Sequence, residues 1–322
     1  MSIVRLRSAK GPARPAFAQA EEGQARALRL HRRLAAIGAL IGLAIGVVAF
    51  LPASLVASAV AGATNQRFIL AEADGTVWNG SALTVLAGGA DSRDASVLPS
   101  RLEWRLRPRW NGLSLHLAQD CCLPHGVEIG IHRKLSAWQV TVDGPGDATG
   151  VVVPNAAASA AAAAAQADAA TVPIGTFPAG WLEGSGFPFN TVHPGGLLIL
   201  SARQLAFAYQ GGRWRTQGSA QLELRQASSR LSTLPTLGSY RISLDADPTT
   251  EATPGLGAER MRITLATIEG PLKADGTGQL GPNGAFRFRG NASAAPGSES
   301  ALNNLLNLIG RRSGALSVIS IG

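Results

Sequence analysis

The chain has 322 residues, 29 Lys plus Arg against 21 Asp plus Glu, and a formal net charge of +8. Residues 1–33 hold eight of the basic side chains and only Glu21 and Glu22 as acids, so this leader carries +6 and the rest of the chain only +2, which excludes a uniformly basic, nucleic-acid-coating domain. With 38 Gly, 18 Pro and only 16% charged residues, neither a charge-driven disordered chain nor a helical bundle fits.

After the basic leader 1–33 comes Leu34–Leu51 (LAAIGALIGLAIGVVAFL), without a charged or strongly polar side chain, and the uncharged run continues to Gln66. A helix of this length rises about 27 Å, close to the roughly 30 Å hydrocarbon core of a bilayer. Segment 34–60 is therefore predicted to be one transmembrane helix and its juxtamembrane stretch, with Pro52 kinking or ending the helix. Arg26, Arg29, Arg32 and Arg33 precede it and the next charge is Arg67, which places the N-terminus in the cytoplasm and the bulk of the chain outside it. A cleavable signal peptide ending near Ala57-Ser58-Ala59 is the alternative; the long leader and long apolar core favour an uncleaved anchor. Gly38, Gly42 and Gly46 form one helical stripe that suits close helix packing, although small residues are common in membrane spans.

Beyond residue 67 the period changes to two. Leu102-Trp104-Leu106, Leu113-Leu115-Leu117, Val127-Ile129-Ile131, Trp138-Val140-Val142, Ile242-Leu244 and Met261-Ile263-Leu265 alternate with polar neighbours, as half-buried strands do. Turn chemistry separates them at Asp143-Gly144-Pro145-Gly146, Gly211-Gly212 and Gly281-Pro282-Asn283-Gly284, the last joining Thr277–Leu280 to Ala285–Arg289 as a hairpin. Short connections imply antiparallel pairing. The alanine-rich stretch within 154–172 has no large apolar face to bury and reads as a linker or surface insertion between β-rich halves 67–153 and 173–322. Near the end, Ser300 is expected to cap a helix Ala301–Ile309 with Leu302, Leu305, Leu306 and Ile309 on one stripe, closed by Gly310, with Arg311 and Arg312 complementing its dipole. The predicted fold is mainly β: one transmembrane helix, then a largely antiparallel sheet in two halves and a short C-terminal helix.

Catalytic motifs are missing. No Ser sits in G-x-S-x-G, no His precedes Glu, and no Lys precedes Ser or Thr, so the hydrolase elbow, the zincin motif and the P-loop are absent. Gly276-Thr277-Gly278-Gln279-Leu280-Gly281 matches G-x-G-x-x-G formally but leads into a turn and a strand, not a helix N-terminus. Asp120, Cys121, Cys122 and His125 cluster without a complete metal-ligand set. In an oxidising compartment the two thiols form a vicinal disulfide or remain free. Asp91 and Asp94 lack calcium-loop spacing. No catalytic, cofactor-binding or metal-ligating residue is assigned, and no cofactor is expected.

Several segments carry a resemblance: Gly75-Thr76-Val77-Trp78-Asn79-Gly80-Ser81-Ala82, then Leu102-Glu103-Trp104-Arg105-Leu106-Arg107-Pro108 with Gly112-Leu113-Ser114-Leu115. Gly195–Leu200, Ser228–Ser232, Leu237–Tyr240 and Leu305–Arg312 follow in order. In these and in the single span ahead of them the chain resembles the type II secretion system protein N family, with the string Gly75, Thr76, Trp78, Gly80 the most specific. Read on its own chemistry, Gly75 suits a hairpin turn, Val77 and Trp78 start an apolar strand face, and Gly80 marks a bulge or close backbone approach. The resemblance implies an accessory inner-membrane component of the secretion machine, acting through protein–protein interaction in the periplasm without catalysis. Its expected partners are other inner-membrane subunits of that machine and the lipid bilayer, not nucleic acid; self-association stays open. The alternative is an AsmA-like or lipopolysaccharide-transport-like protein with a lipid-binding β-groove, lined by Trp104, Trp138, Trp181 and Trp214 where these do not simply fill a core. An envelope enzyme comes last.

Overall fold

The computed structural model describes residues 16–134, 137–143, 172–210, 213–246, 260–281 and 285–322. The chain divides into Met1–Leu51 and Pro52–Gly322. In the first unit, helix α1 spans Ala16–Ala49. It stops two residues before the apolar run does, because Pro52 offers no N–H and biases Leu51 away from helical backbone. Among the described residues no helix is long and apolar enough to cross a membrane.

The second unit begins with α2 (Ser54–Ala63) and is otherwise a meander of antiparallel strands. These are β1 (Phe68–Gly75), β2 (Asn79–Ala87), β3 (Ala95–Arg109), β4 (Gly112–Gln119), β5 (Leu123–Lys134), β6 (Ala137–Asp143) and β7 (Val172–Pro178). After a 3-10 helix at Ala179–Ser185 and one helical turn, α3 (Phe189–Val192), come β8 (Pro194–Gln210), β9 (Arg213–Ser229), β10 (Gly238–Ala246) and β11 (Met261–Glu269). The series ends with β12 (Leu272–Leu280), β13 (Phe286–Ala294), helix α4 (Glu299–Ile309), β14 (Arg311–Ser313) and β15 (Leu316–Ile321). Among the described residues all fifteen strands join one sheet in the order β1-β2-β3-β4-β5-β6-β8-β9-β10-β11-β12-β13-β15-β14, with β7 also on β8.

The strands before and after the alanine-rich segment thus meet in a single sheet, through β6 and β8. The seventeen residues of β8 serve two neighbours on one edge: Ala202 and the residues before it pair with β7, and Leu205–Tyr209 pair with β6. The changeover falls at a bulge between Arg203 and Ala206, where Gln204 takes φ 46°. Opposite it, a Cβ on Gly218 would sit 2.2 Å from the Gln204 carbonyl oxygen, so only glycine fits there. The turns at Gly144–Gly146, Gly211-Gly212 and Pro282–Gly284, and residues 154–171 of the alanine-rich stretch, lie outside the described residues. The flanks of the second and third turns form hairpins: Gln210 faces Arg213, Leu280 faces Phe286, and Gly281 N–H donates to Ala285 O at 2.9 Å. Gly144–Gly146 does not, since β6 and β7 both pair with β8 and not with each other.

Register makes one face apolar. Directly opposed residues share a face, and Leu106, Leu115, Ile129, Val142 and Leu205 stand in one row across five strands. The opposite face carries rows such as Arg105, His116 and Glu128. Buried residues on the apolar face gather in three clusters. Ala53, Ala82 and Trp104 lie under α2; Leu123, Val127, Ile174 and Ala202 gather around β7; Tyr240, Leu272, Ala292, Leu302, Leu305 and Leu306 lie under α4. Between them Leu113, Ile131, Val140 and Phe207 stay half-buried.

The C-terminal helix begins earlier than the sequence suggests, at Glu299 after Ser298, and Ser298 makes no side-chain cap bond. Arg311 and Arg312 do not act as a helix-end pair but open strand β14, because Gly310 leaves the helix in extended backbone.

Candidate functional site

The string Gly75, Thr76, Trp78, Gly80 builds the β1–β2 hairpin and the floor beneath one indole. Gly75 takes φ 91°, and a Cβ there would lie 2.5 Å from Asn79 O. Thr76 closes the turn: its N–H donates to Asn79 O at 2.9 Å and its Oγ1 accepts from Asn79 N–H at 3.2 Å. Val77 and Trp78 consequently lie in the turn and not at the start of the strand, which begins at Asn79. The Trp78 carbonyl accepts from Leu106 N–H at 2.7 Å. Gly80 faces Trp104 in register, and a Cβ on it would meet Trp104 Cζ2 at 2.5 Å. The indole lies over the bare backbone, and its Nε1–H donates to Val77 O at 3.2 Å. This part of the molecule organises packing and positions no reactive group.

Cys121 and Cys122 are bonded to each other. Their turn joins β4 to β5 and is fastened on both sides: Cys121 N–H donates to Ser100 Oγ at 3.1 Å and Cys122 O accepts from Thr176 N–H at 2.9 Å. With both sulfurs in the bridge, the Asp120 to His125 cluster offers no thiolate ligand, and no group of three His, Cys, Asp or Glu among the described residues could hold a metal ion. Because the bridge encloses no loop, its entropic contribution is negligible. The Cys121→Ser/Cys122→Ser variant should shift the unfolding free energy by less than about 1 kcal/mol, read from urea midpoints with and without reductant. A shift several times larger would mean that the bridge holds the β5–β7 junction.

The other sequence candidates are structural. Asp94 Oδ2 accepts from Asn190 Nδ2 at 2.9 Å and pins the loop after β2, while Asp91 is exposed. Gly276 and Gly278 lie on β12, where the Phe288 ring covers them; a Cβ on Gly276 would meet Phe288 Cζ at 2.4 Å. A phosphate cradle is incompatible with that covering. Around Gly38, Gly42 and Gly46 nothing lies within 4 Å of an added Cβ.

The four tryptophans proposed as groove liners divide into two kinds. Trp104 is buried, and Trp181 is half-buried with its ring centroid 5.8 Å from that of Phe177. Trp138 and Trp214 are 52% and 48% exposed. Register sets Arg133, Trp138, Tyr209 and Trp214 directly opposite one another across β5, β6, β8 and β9. The Tyr209 and Trp214 centroids are 5.0 Å apart, and the Arg133 guanidinium lies 5.8 Å from the Trp138 ring centre. Trp110, 97% exposed, occupies the neighbouring β3–β4 turn. Sequence reading missed Trp110 and Tyr209; both flank Gly-containing turns, Asn111-Gly112 and Gly211-Gly212.

Two further features lie near the C-terminal edge. On the polar face, a depression of about 680 Å³ is lined by Arg262, Thr277, Gln279, Arg287 and Arg289 among others. At the edge, β15 pairs with β14 only through Leu316–Val318, so the side of Ile319–Ile321 away from β13 has no strand neighbour among the described residues. Glu223 on the same polar face is held between Arg225 and Arg241 at 2.6 and 2.9 Å. Burial pushes its carboxyl up, but the two guanidinium groups more than offset that and leave it below the usual range.

A family model for type II secretion system (T2SS), protein N matches residues 67–318. No curated protein and no solved structure shows significant similarity to the chain.

Proposed function

From membership in the type II secretion system protein N family, to which this chain belongs, we propose that it is an accessory, non-catalytic subunit of the type II protein secretion machine. In this reading the apolar run Leu34–Leu51 anchors the chain once in the inner membrane, with the basic leader in the cytoplasm and the sheet in the periplasm. Arginines ahead of the run and none behind it until Arg67 support that orientation. The sheet works by contact with other inner-membrane subunits. The observation that carries the reading is that the family match runs over residues 67–318, from β1 into β15; the rest of that last strand, Ile319–Ile321, is open for strand addition, a mode in which main-chain hydrogen bonds supply affinity.

Purification of the full chain in mild detergent after crosslinking, from cells assembling the complete machine, should recover other secretion subunits. Recovery of none would overturn the proposal. A lipid-binding groove is the second reading, favoured by the half-buried row Leu113, Ile131, Val140 and Phe207. Acyl chains retained through purification and seen by native mass spectrometry would support it.

A further inference from the structure

We propose that the aromatic row at the hairpin ends is a lip that docks on the surface of a phospholipid bilayer, seated at the headgroup boundary of the membrane that anchors the chain. The proposal rests on the anchoring reading above.

The first argument is placement. Trp138, Tyr209 and Trp214 stand in one register row, two residues further along the strands than Val140, Phe207 and Thr216. Trp110 lies beside that row, at the β3–β4 turn. Four large aromatic side chains between 41% and 97% exposed stand at this one end of the sheet, and exposed apolar groups gathered at one place mark interaction or membrane sites. Trp and Tyr pair an apolar body with a polar N–H or O–H, the combination that enriches them at membrane–water interfaces.

The second argument is charge. Arg107, Arg109 and Arg133 are exposed at this end. Arg133 shares the face of the aromatic row, while Arg107 and Arg109 project from the opposite face at the same end, where among the described residues Glu128 is the acid bound to Arg109, at 3.0 Å. The excess is positive, and guanidinium groups take phosphate in bidentate fashion.

The third is connectivity. Pro52, the first residue of the sheet unit, bridges Thr76 in the β1–β2 turn, and that turn belongs to the same end of the sheet as the β3–β4, β5–β6 and β8–β9 hairpins. The apolar run ending at Leu51 is therefore joined to the sheet at the lip's end and not at the end covered by α4.

The test uses the full chain in vesicles of phosphatidylcholine and phosphatidylglycerol whose acyl chains are brominated just below the headgroup. Bromine quenches tryptophan on contact. Wild type should lose fluorescence relative to unbrominated vesicles, and Trp110→Phe/Trp138→Phe/Trp214→Phe should cut the quenched fraction to about half, since of the three tryptophans left only Trp78, in the β1–β2 turn at this same end, stays near the headgroups while Trp104 and Trp181 do not. Replacing phosphatidylglycerol by phosphatidylcholine, or making Arg107→Gln/Arg133→Gln, should lower it as well. Equal quenching of wild type and triple variant, with both floating with the vesicles, would overturn the lip and leave the anchor standing; a protein partner for these aromatics would give that result. Failure of wild type to float would strike the anchor and the lip with it. Should the triple variant fail to fold, Trp110→Phe alone alters an exposed turn and must still reduce quenching; an unchanged value would overturn the proposal.

Discussion

Leu305→Ala should destabilise the sheet unit by about 3 kcal/mol, within the 2–5 kcal/mol range for emptying a buried leucine site. Helix α4 presents Leu302, Leu305 and Leu306, all at or below 2% exposure, to Ala227, Leu237, Tyr240, Leu272 and Ala292. The contact is reinforced by polar bonds that fix the helix against the strands: Ser317 Oγ donates to Leu306 O, and Ser232 Oγ to Ala301 O at 3.4 Å. Beneath it the Tyr240 hydroxyl lies 3.0 Å from Leu237 O and 2.9 Å from Leu272 O, and burial pushes that hydroxyl well above its ordinary pKa. A cavity at Leu305 loses dispersion contacts with β10, β12 and β13 together. Leu302→Ala/Leu305→Ala should cost less than the sum of the two singles, because both empty the same space. Leu308, exposed on the outer side of α4, is the control, and Leu308→Ala should stay within about 0.5 kcal/mol. Urea unfolding of the full chain in detergent, followed by tryptophan fluorescence, measures each; an unmoved midpoint for Leu305→Ala would show that α4 rides on the sheet without holding it.

The strands that alternate cleanly were legible in the sequence. Leu102-Trp104-Leu106, Leu113-Leu115-Leu117 and Val127-Ile129-Ile131 became β3, β4 and β5, with Trp104 and Leu106 facing Leu117 and Leu115, and Leu113, Leu115 and Leu117 facing Ile131, Ile129 and Val127. Of the β8–β9 hairpin only the Gly211-Gly212 turn was legible, not the strands. Leu197–Leu200 is a continuous apolar run, and the bulge at Gln204 shifts the phase midway, so neither period holds along the strand. Val77 and Trp78 misled for another reason: β-favouring residues were held in a turn by the Thr76–Asn79 bonds and the φ 91° of Gly75. The lip was invisible for a third. Trp138 and Trp214 alternate as core residues do, and only register brings them beside Tyr209 from strands on either side of the alanine-rich stretch.

A single sheet with one apolar face needs a second layer, and this chain supplies it in pieces. Helix α2 lies over β1 and β2 and α4 over β10–β13, while Ile174 of β7, itself a strand of the sheet, packs with Leu123, Val127 and Ala202. The half-buried row between those pieces is where a partner or lipid gains most, since apolar area still facing water is there to be removed. Stability and interaction therefore draw on the same face at different places.

Trp104→Ala should cost about 3–5 kcal/mol, the range for deleting a buried aromatic side chain, and should release α2. The indole is 4% exposed and packs with Ala53 and Ala82, with Val56, Leu70, Leu115 and Leu117 around them. Ala53, the residue before α2, is tied to the hairpin by its N–H to Gly75 O at 3.0 Å. Removing the indole therefore empties the seat of α2 and strands the Val77 carbonyl that Nε1 had bonded. Gly80→Ala should destabilise comparably from the other side, since its Cβ would sit 2.5 Å from Trp104 Cζ2 and 2.7 Å from Asp74 O. The two are coupled: in Trp104→Ala/Gly80→Ala the new methyl group no longer strikes the ring, so the double variant should cost less than the sum of the singles. The Asp74 contact is backbone and remains, so the relief is partial. Unfolding midpoints give the coupling energy, and limited proteolysis within Ser54–Ala63 reports release of α2. Additive effects would mean that Gly80 is required for the hairpin alone. Coupled effects with early cleavage of α2 would mean that the Gly75–Gly80 string exists to seat one tryptophan, and through it the helix that joins the sheet to the chain's apolar N-terminal run.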